Sequence, residues 1–244
     1  MPFCKVNGIN IHYRATGKWK PLLFLHGGGA KASTYKENLD LLAKTYHVIA
    51  PDIPCFGESS VPGDVWGFED FANLFSDFID DLWLQDIVVM GHSFGGGIAL
   101  HLAARCKKIS HLVLIDSAGI APKYPSRKLP FFLLIKTFRN IFLYRQTSIN
   151  FIIWRDFFAN FRHFFSWGKI LATIHKTLFS TATVLDKITQ PTAIRWGDSD
   201  EVFPVLLAQS LQDNISGSTL TYVQGNHDWC LFMPETFMML VDEL

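Results

Sequence analysis

Gly91-His92-Ser93-Phe94-Gly95 sets a serine between two glycines in a G-x-S-x-G spacing. A serine hydroxyl attacks a carbonyl carbon once a base takes its proton and an acid orients that base. The triplet alone says little, because it arises by chance in very roughly one chain of this length in ten. Its setting says more. The apolar run Ile87–Met90 precedes it, and a small-residue helical stretch, Gly97–Arg105, follows. That is the strand–turn–helix context in which a sharp turn exposes a nucleophile. Glycines on both sides remove side chains that would collide in such a turn. The competing reading is a glycine-rich helix start packed closely on a sheet.

Candidates for the base and the acid stand late in the chain. Trp196-Gly197-Asp198-Ser199-Asp200-Glu201-Val202-Phe203-Pro204 is an acidic loop, and Gly225-Asn226-His227 carries a histidine. Each follows a strand-like run, so loops from neighbouring strands can bring them to the serine. The order serine, acid, histidine is the one a nucleophile elbow requires. Earlier in the chain, His26-Gly27-Gly28-Gly29 offers backbone N–H groups that a substrate oxygen could approach. The competing readings are an ordinary histidine at 227 and a plain tight turn at 26–29.

The elements that must position these residues follow from hydrophobic periodicity. Cys4–Val6 and Ile9–Arg14 read as strands around an Asn7-Gly8 turn. Leu22–Leu25, His47–Ala50, Ile87–Met90, Ile109–Ile115, Thr192–Trp196 and Ser218–Val223 are further short strands. Helical spacing covers residues 34–43, Phe68–Trp83, Val205–Leu211 and Leu231–Leu244. Continuous apolar strands alternating with helices imply a mostly parallel α/β sheet covered on both faces.

Composition bounds the class. The chain has 244 residues, 49% hydrophobic and 18% charged, which excludes disorder. Lys plus Arg and Asp plus Glu are both 22, which argues against a nucleic-acid binder. The charge is uneven: residues 121–180 hold ten basic residues and one acid, Asp156. Cys4, Cys55, Cys106 and Cys230 match no metal or disulfide spacing. No signal peptide is evident at the start, and the terminal VDEL is read as chance, so a cytoplasmic location is expected.

Five motifs in order carry a resemblance: LLFLHGGG (22–29), PDIPCFGESS (51–60), VVMGHSFGGG (88–97), RWGDSDEVFP (195–204) and QGNHDW (224–229). Together they resemble the α/β-hydrolase superfamily, in its serine-nucleophile, carboxylesterase- and lipase-like branch. The resemblance implies an eight-stranded, mostly parallel sheet with helices on both faces and a helical cap. The core would be 1–120 and 186–244, and the cap 121–185. It implies Ser93 as nucleophile, His227 as general base and acid, and Asp200 as orienting acid. Asp200 is preferred to Asp198 by the family pattern G-x-x-D-x-x-x-P. Asp116 is a second candidate, because some members take the acid from the end of the preceding strand. The N–H groups of Gly28 and Phe94 would form the oxyanion hole. One departure is Pro54-Cys55, where the family loop has a further glycine. No metal and no organic cofactor are expected.

Within the segment 121–185, ten of the chain's 22 phenylalanines fall between Phe131 and Phe165, with Trp154 and Trp167 alongside. It reads either as a helical cap whose aromatic residues pack together and whose basic residues are solvated, or as a lid over a hydrophobic acyl or aromatic substrate, and the two readings are compatible. A sharper reading adds weak docking to an anionic membrane through Lys136, Arg139, Arg145, Arg155 and Arg162. The expected activity is hydrolysis of hydrophobic carboxylic esters through an acyl-enzyme. Two alternatives are a meta-cleavage-type carbon–carbon hydrolase, suggested by Trp229 two residues after the histidine, and a non-catalytic ligand receptor on the same fold.

Overall fold

A computed structural model of the 244-residue chain describes residues 2–122, 151–152, 155–156 and 160–241. Eight strands form one sheet in the order β1-β2-β4-β3-β5-β6-β7-β8. They are β1 (Phe3–Val6), β2 (Ile9–Thr16), β3 (Lys20–Leu25), β4 (Tyr46–Pro51), β5 (Ile87–His92), β6 (Ile109–Ile115), β7 (Thr192–Gly197) and β8 (Thr219–Val223). Only β2 runs against the others; β3 to β8 pair in parallel. The β1–β2 turn has positive φ at both Asn7 (48°) and Gly8 (83°), as a tight hairpin turn demands.

The continuous apolar strands are explained by burial on both faces. Leu23, Leu25, Val89, Leu112 and Leu114 point into one apolar cluster, and Leu22, Phe24, Val88, Met90, Val113 and Ile115 into the other. The first cluster is closed by α2 (Phe68–Asp81), α3 (Phe94–Ala103) and α5 (Val205–Asn214). The second is closed by α1 (Lys36–Leu42) and by α6 (Trp229–Phe232) and α7 (Pro234–Val241). In α2, Phe71, Phe75, Phe78 and Ile79 are all fully buried, at the spacing of one helix face.

Most element ends lie within a few residues of expectation, and three of the shifts have a local reason. Helix α3 begins at Phe94 instead of Gly97, directly after the serine. A 3₁₀ turn, Ala32–Tyr35, precedes α1, so regular helix starts at Lys36. The expected final helix is two helices, broken at Met233 because Pro234 disfavours helical backbone in the residue before it. The end of that expectation, 242–244, lies outside the described residues.

Of the expected insertion, the described part comprises a 3₁₀ segment (Asn160–Ser166) and α4 (Trp167–Leu178). Its acid, Asp156, is 1% exposed. It accepts hydrogen bonds from Thr34 Oγ1 (2.7 Å) and Arg155 Nε (2.9 Å), with Lys31 Nζ at 3.7 Å. The one acid of residues 121–180 thus ties this segment to Lys31 and Thr34, which follow β3. Among the described residues no helix is long and apolar enough to cross a membrane.

Candidate active site

All the candidate residues lie at the carboxyl edge of the sheet, where β3, β5, β6, β7 and β8 end. Ser93 follows β5 with φ 52° and ψ −117°, a conformation that L residues avoid. Two bonds hold it there: Ser93 N–H donates to the Ile115 carbonyl (2.9 Å), and the Ser93 carbonyl accepts from Ala118 N–H (2.9 Å). The flanking glycines are obligatory. A Cβ on Gly91 would lie 2.4 Å from the Gly95 oxygen, and one on Gly95 would lie 2.2 Å from the Leu25 oxygen.

The structure brings Ser93, His227 and Asp200 together. His227 Nε2 is 2.9 Å from Ser93 Oγ, and its Nδ1 is 2.7 Å from Asp200 Oδ2. Asp200 is 7% exposed and His227 4%. Asp200 Oδ1 also accepts from the N–H groups of Val202 (2.7 Å) and Phe203 (2.8 Å). A carboxylate only accepts, so His227 Nδ1 carries the proton and Nε2 presents its lone pair to the serine hydroxyl. This is the tautomer a general base needs.

The other two acids are placed differently. Asp198 is exposed; its Oδ1 accepts from Ser199 Oγ (2.8 Å) and Gly225 N–H (3.1 Å), which braces the loop. Asp116 directly follows β6 at φ 42° and is fully buried. Its Oδ1 accepts from Gly197 N–H at 2.7 Å. Its Oδ2 and the Trp229 Nε1 are both buried, and the indole lies beside the carboxyl. Burial first, and then the Asp200 charge, push the Asp116 carboxyl well above the usual carboxylate range. One ligand atom from each of Asp116, Asp200 and His227 lies within 4.8 Å of the others. The His227 atom on that side already carries a proton toward Asp200, so the trio is an acid pair behind a histidine.

The glycine loop is fixed by His26, which is fully buried. Its Nε2 accepts from Ile53 N–H (2.8 Å), so Nδ1 carries the proton and donates to the Gly27 carbonyl (2.8 Å). Burial lowers its pKa, which favours this neutral form. The Gly27 carbonyl and the Gly28 N–H belong to one trans peptide and point in opposite directions. Fixing the carbonyl on His26 therefore turns the Gly28 N–H away from it. A Cβ on Gly28 would lie 3.4 Å from Phe94 Cβ, so the loop and the start of α3 are in contact. The Phe94 N–H, first in its helix, has no carbonyl of that helix to bind.

Cys55, the departure from the family loop, has φ 83° and is 2% exposed. That is a left-handed backbone of the kind glycine favours, and burial pushes its thiol up to about 12. Lys136, Arg139, Arg145 and Trp154 lie outside the described residues, as does the side chain of Arg162. Arg155 NH2 is 2.8 Å from Asp156, so this cation is engaged by the protein itself. Sequence reasoning missed Tyr35, which no motif contains. It passed over His92, although His92 occupies a variable position of the elbow.

The family model of the alpha/beta hydrolase family matches residues 22–238, and the chain belongs to that family. Relatives in sequence include a 2-hydroxy-6-oxo-6-(2'-aminophenyl)hexa-2,4-dienoic acid hydrolase of Metapseudomonas resinovorans. That relative is 26% identical over 253 residues, which is 96% of this chain and 87% of the relative. A dihydrolipoyllysine-residue acetyltransferase component of an acetoin cleaving system, from Cupriavidus necator, is 34% identical over 119 residues. That match takes 48% of this chain and 32% of the relative, so the chain spans about a third of such curated relatives. Among solved structures, the enol-lactonase from Burkholderia xenovorans LB400 superposes with a TM-score of 0.86 at 18% identity, covering 99% of this chain and 98% of that one. The chain is thus an α/β-hydrolase.

Proposed function

We propose that this α/β-hydrolase cleaves carboxylic esters of hydrophobic substrates through an acyl-enzyme on Ser93. The observation that carries the reading is the unbroken Ser93–His227–Asp200 chain in the tautomer that makes His227 a base. His227 Nε2 takes the Ser93 proton as Oγ attacks the ester carbonyl. The resulting oxyanion accepts from the Gly28 and Phe94 N–H groups. The C–O bond to the alcohol then breaks, and His227 returns its proton to the leaving oxygen. Water repeats the sequence on the acyl-enzyme and frees the acid. Asp200 keeps His227 oriented and stabilises its charged form.

Residues 121–185 act in this reading as a lid that supplies apolar contact, worth about 25 cal/mol per Å² removed from water. The carbon–carbon hydrolase reading is favoured by several names among the relatives and neighbours: the dienoic acid hydrolase of Metapseudomonas resinovorans, a 2-hydroxymuconate semialdehyde hydrolase of Pseudomonas sp. (strain CF600) and a meta-cleavage product hydrolase of Pseudomonas fluorescens IP01. Trp229, the residue that suggested it, is 1% exposed and packs beside Asp116, so its position already has a structural reason. The test is a series of p-nitrophenyl esters from acetate upward, on wild type and Ser93→Ala. Wild type should turn over esters with kcat/KM rising several-fold per added CH₂ until the pocket fills. Ser93→Ala should lose several orders of magnitude in kcat. A Ser93→Ala enzyme keeping a tenth of wild-type kcat, or a wild type acting only on dienoate carbon–carbon bonds, rejects the reading.

A further inference from the structure

A second hydrogen-bonded chain runs behind the reacting atoms. Gly27 N–H donates to Tyr35 Oη (3.2 Å), and Tyr35 Oη is 2.6 Å from His92 Nδ1. His92 Nε2 is 3.0 Å from the backbone carbonyl of His227. A carbonyl only accepts, so Nε2 carries the His92 proton. In the neutral ring Nδ1 then accepts, and the Tyr35 hydroxyl donates to it. Every bond in the chain has the same sense: Gly27 to Tyr35 to His92 to His227. Tyr35 and His92 are each 2% exposed. Burial pushes the Tyr35 hydroxyl well up, which keeps it a donor.

The chain joins three parts of the site that sequence keeps apart. Gly27 belongs to the oxyanion loop, His92 directly precedes Ser93, and His227 is the base. The contact with the loop is close, since a Cβ on Gly27 would lie 3.0 Å from His92 Nδ1 and 3.1 Å from Tyr35 Oη. The His92 and His227 rings lie with centroids 5.1 Å apart. The Ser93–His227 hydrogen bond must break and re-form as the proton moves. The His92 bond to the His227 backbone takes no part in that transfer and persists throughout it. Apolar side chains could fill the same volume. Only the polar chain also fixes the distance and angle between the three parts.

We propose that His92, acting through Tyr35 and the His227 carbonyl, is a positioning residue that holds the oxyanion loop and the base in register with Ser93. The proposal rests on the serine-hydrolase reading above. Its test therefore uses an alkyl fluorophosphonate, which reports on the same machinery without requiring a particular ester. Ser93 Oγ attacks phosphorus, the P–F bond breaks, fluoride leaves and His227 takes the hydroxyl proton. The developing P–O⁻ uses the same N–H donors as an ester oxyanion.

The second-order labelling rate would be measured by intact-protein mass spectrometry on wild type, Tyr35→Phe, His92→Ala, and the double variant. Ester kcat and KM would be measured in parallel. Tyr35→Phe and His92→Ala should each slow labelling and lower kcat by roughly 10- to 100-fold while KM changes less than about threefold, the signature of misplacement. The double variant should be no slower than the worse single one, because both cut one chain. Gln places an amide N–H near the position of Nε2, so His92→Gln should recover part of the loss by restoring the bond to the His227 carbonyl. Tyr35→Phe removes a single oxygen and keeps the ring packing, so it decides the matter if His92→Ala fails to fold. Labelling rates within twofold of wild type, or losses that multiply in the double variant, would overturn the proposal. A folded wild type that does not label at Ser93 would instead overturn the serine-hydrolase reading, and the proposal with it.

Discussion

Asp200→Asn is the most informative single change, because the structure fixes how the new amide must sit. Asp200 Oδ1 accepts two backbone N–H groups and Oδ2 accepts one imidazole N–H. An asparagine can satisfy the first pair only with its oxygen toward Val202 and Phe203. The reverse orientation would strand two buried N–H groups against an NH₂, at about 1–3 kcal/mol each. The amide nitrogen therefore faces His227 Nδ1 and forces that atom to accept. The ring proton moves to Nε2, the side that faces Ser93 Oγ, and the base is lost. The expected fall in kcat is about four orders of magnitude, or ~5.5 kcal/mol at ~1.36 kcal/mol per tenfold. Asp116→Asn should cost less than about tenfold, because burial already favours a neutral acid there. The assay is kcat for p-nitrophenyl acetate, normalised to titrated active sites. A crippled Asp116→Asn beside a nearly intact Asp200→Asn would refute the reasoning and move the orienting acid to β6.

The raised Asp116 pKa has a sign in stability as well. Its contribution is complete below the unfolded carboxylate value of about 3.9 and is lost as pH rises through the folded value. Asp116→Asn should thus gain on wild type in urea midpoint between pH 4.5 and 7; a constant or shrinking gap contradicts this. Trp83 sits at φ 55° and 89% exposed, just past α2, with Trp83 N–H on the Asp80 carbonyl and Leu84 N–H on the Ile79 carbonyl. Trp83→Gly relieves a left-handed position at little loss of burial and should stabilise by about 1 kcal/mol, a rise in Tm of roughly 2–4 °C by calorimetry. Phe164 and Phe165 are 64% and 101% exposed. If this face docks weakly on anionic lipid, Phe164→Ser with Phe165→Ser should reduce co-sedimentation with phosphatidylserine vesicles severalfold. Unchanged co-sedimentation would leave these rings without that role.

The fold was legible because the parallel strands are apolar on both faces, which leaves continuous runs such as Leu112–Ile115, and the strand expected at Ile109–Ile115 matches the observed element residue for residue. The groups around Ser93 were legible because steric necessity at the elbow leaves glycines at 91 and 95. Other features had no local signal. The start of α3 at Phe94 was hidden by Gly95, Gly96 and Gly97, whose poor helix propensity is overridden by packing. The upward shift of the Asp116 carboxyl depends on burial that only the folded sheet provides and on Asp200, 84 positions away. Tyr35 ends the 3₁₀ turn before α1 and meets His92 at the end of β5, 57 positions away, so neither residue's neighbours in sequence announce the contact. The left-handed backbone at Cys55 was hinted at by the missing family glycine, but the side chain gave no sign that the conformation would persist without it.

The glycines of α3 bear on how the site is assembled in time. A Cβ on Gly96 would lie 2.2 Å from Ser117 Oγ, and one on Gly97 would lie 2.3 Å from the Phe68 ring. The first turn of α3 is thereby pressed against β6 on one side and α2 on the other. Each glycine also lowers the intrinsic helicity of that turn by about 1 kcal/mol relative to alanine. The segment carrying the serine is therefore a poor helix by itself and winds only when α2 and the β6 end have docked. A nascent chain shorter than about 120 residues cannot hold Ser93 in its attacking posture. On heating, loosening of α2 should unwind this turn before the sheet melts, so that catalytic loss precedes the far-ultraviolet transition.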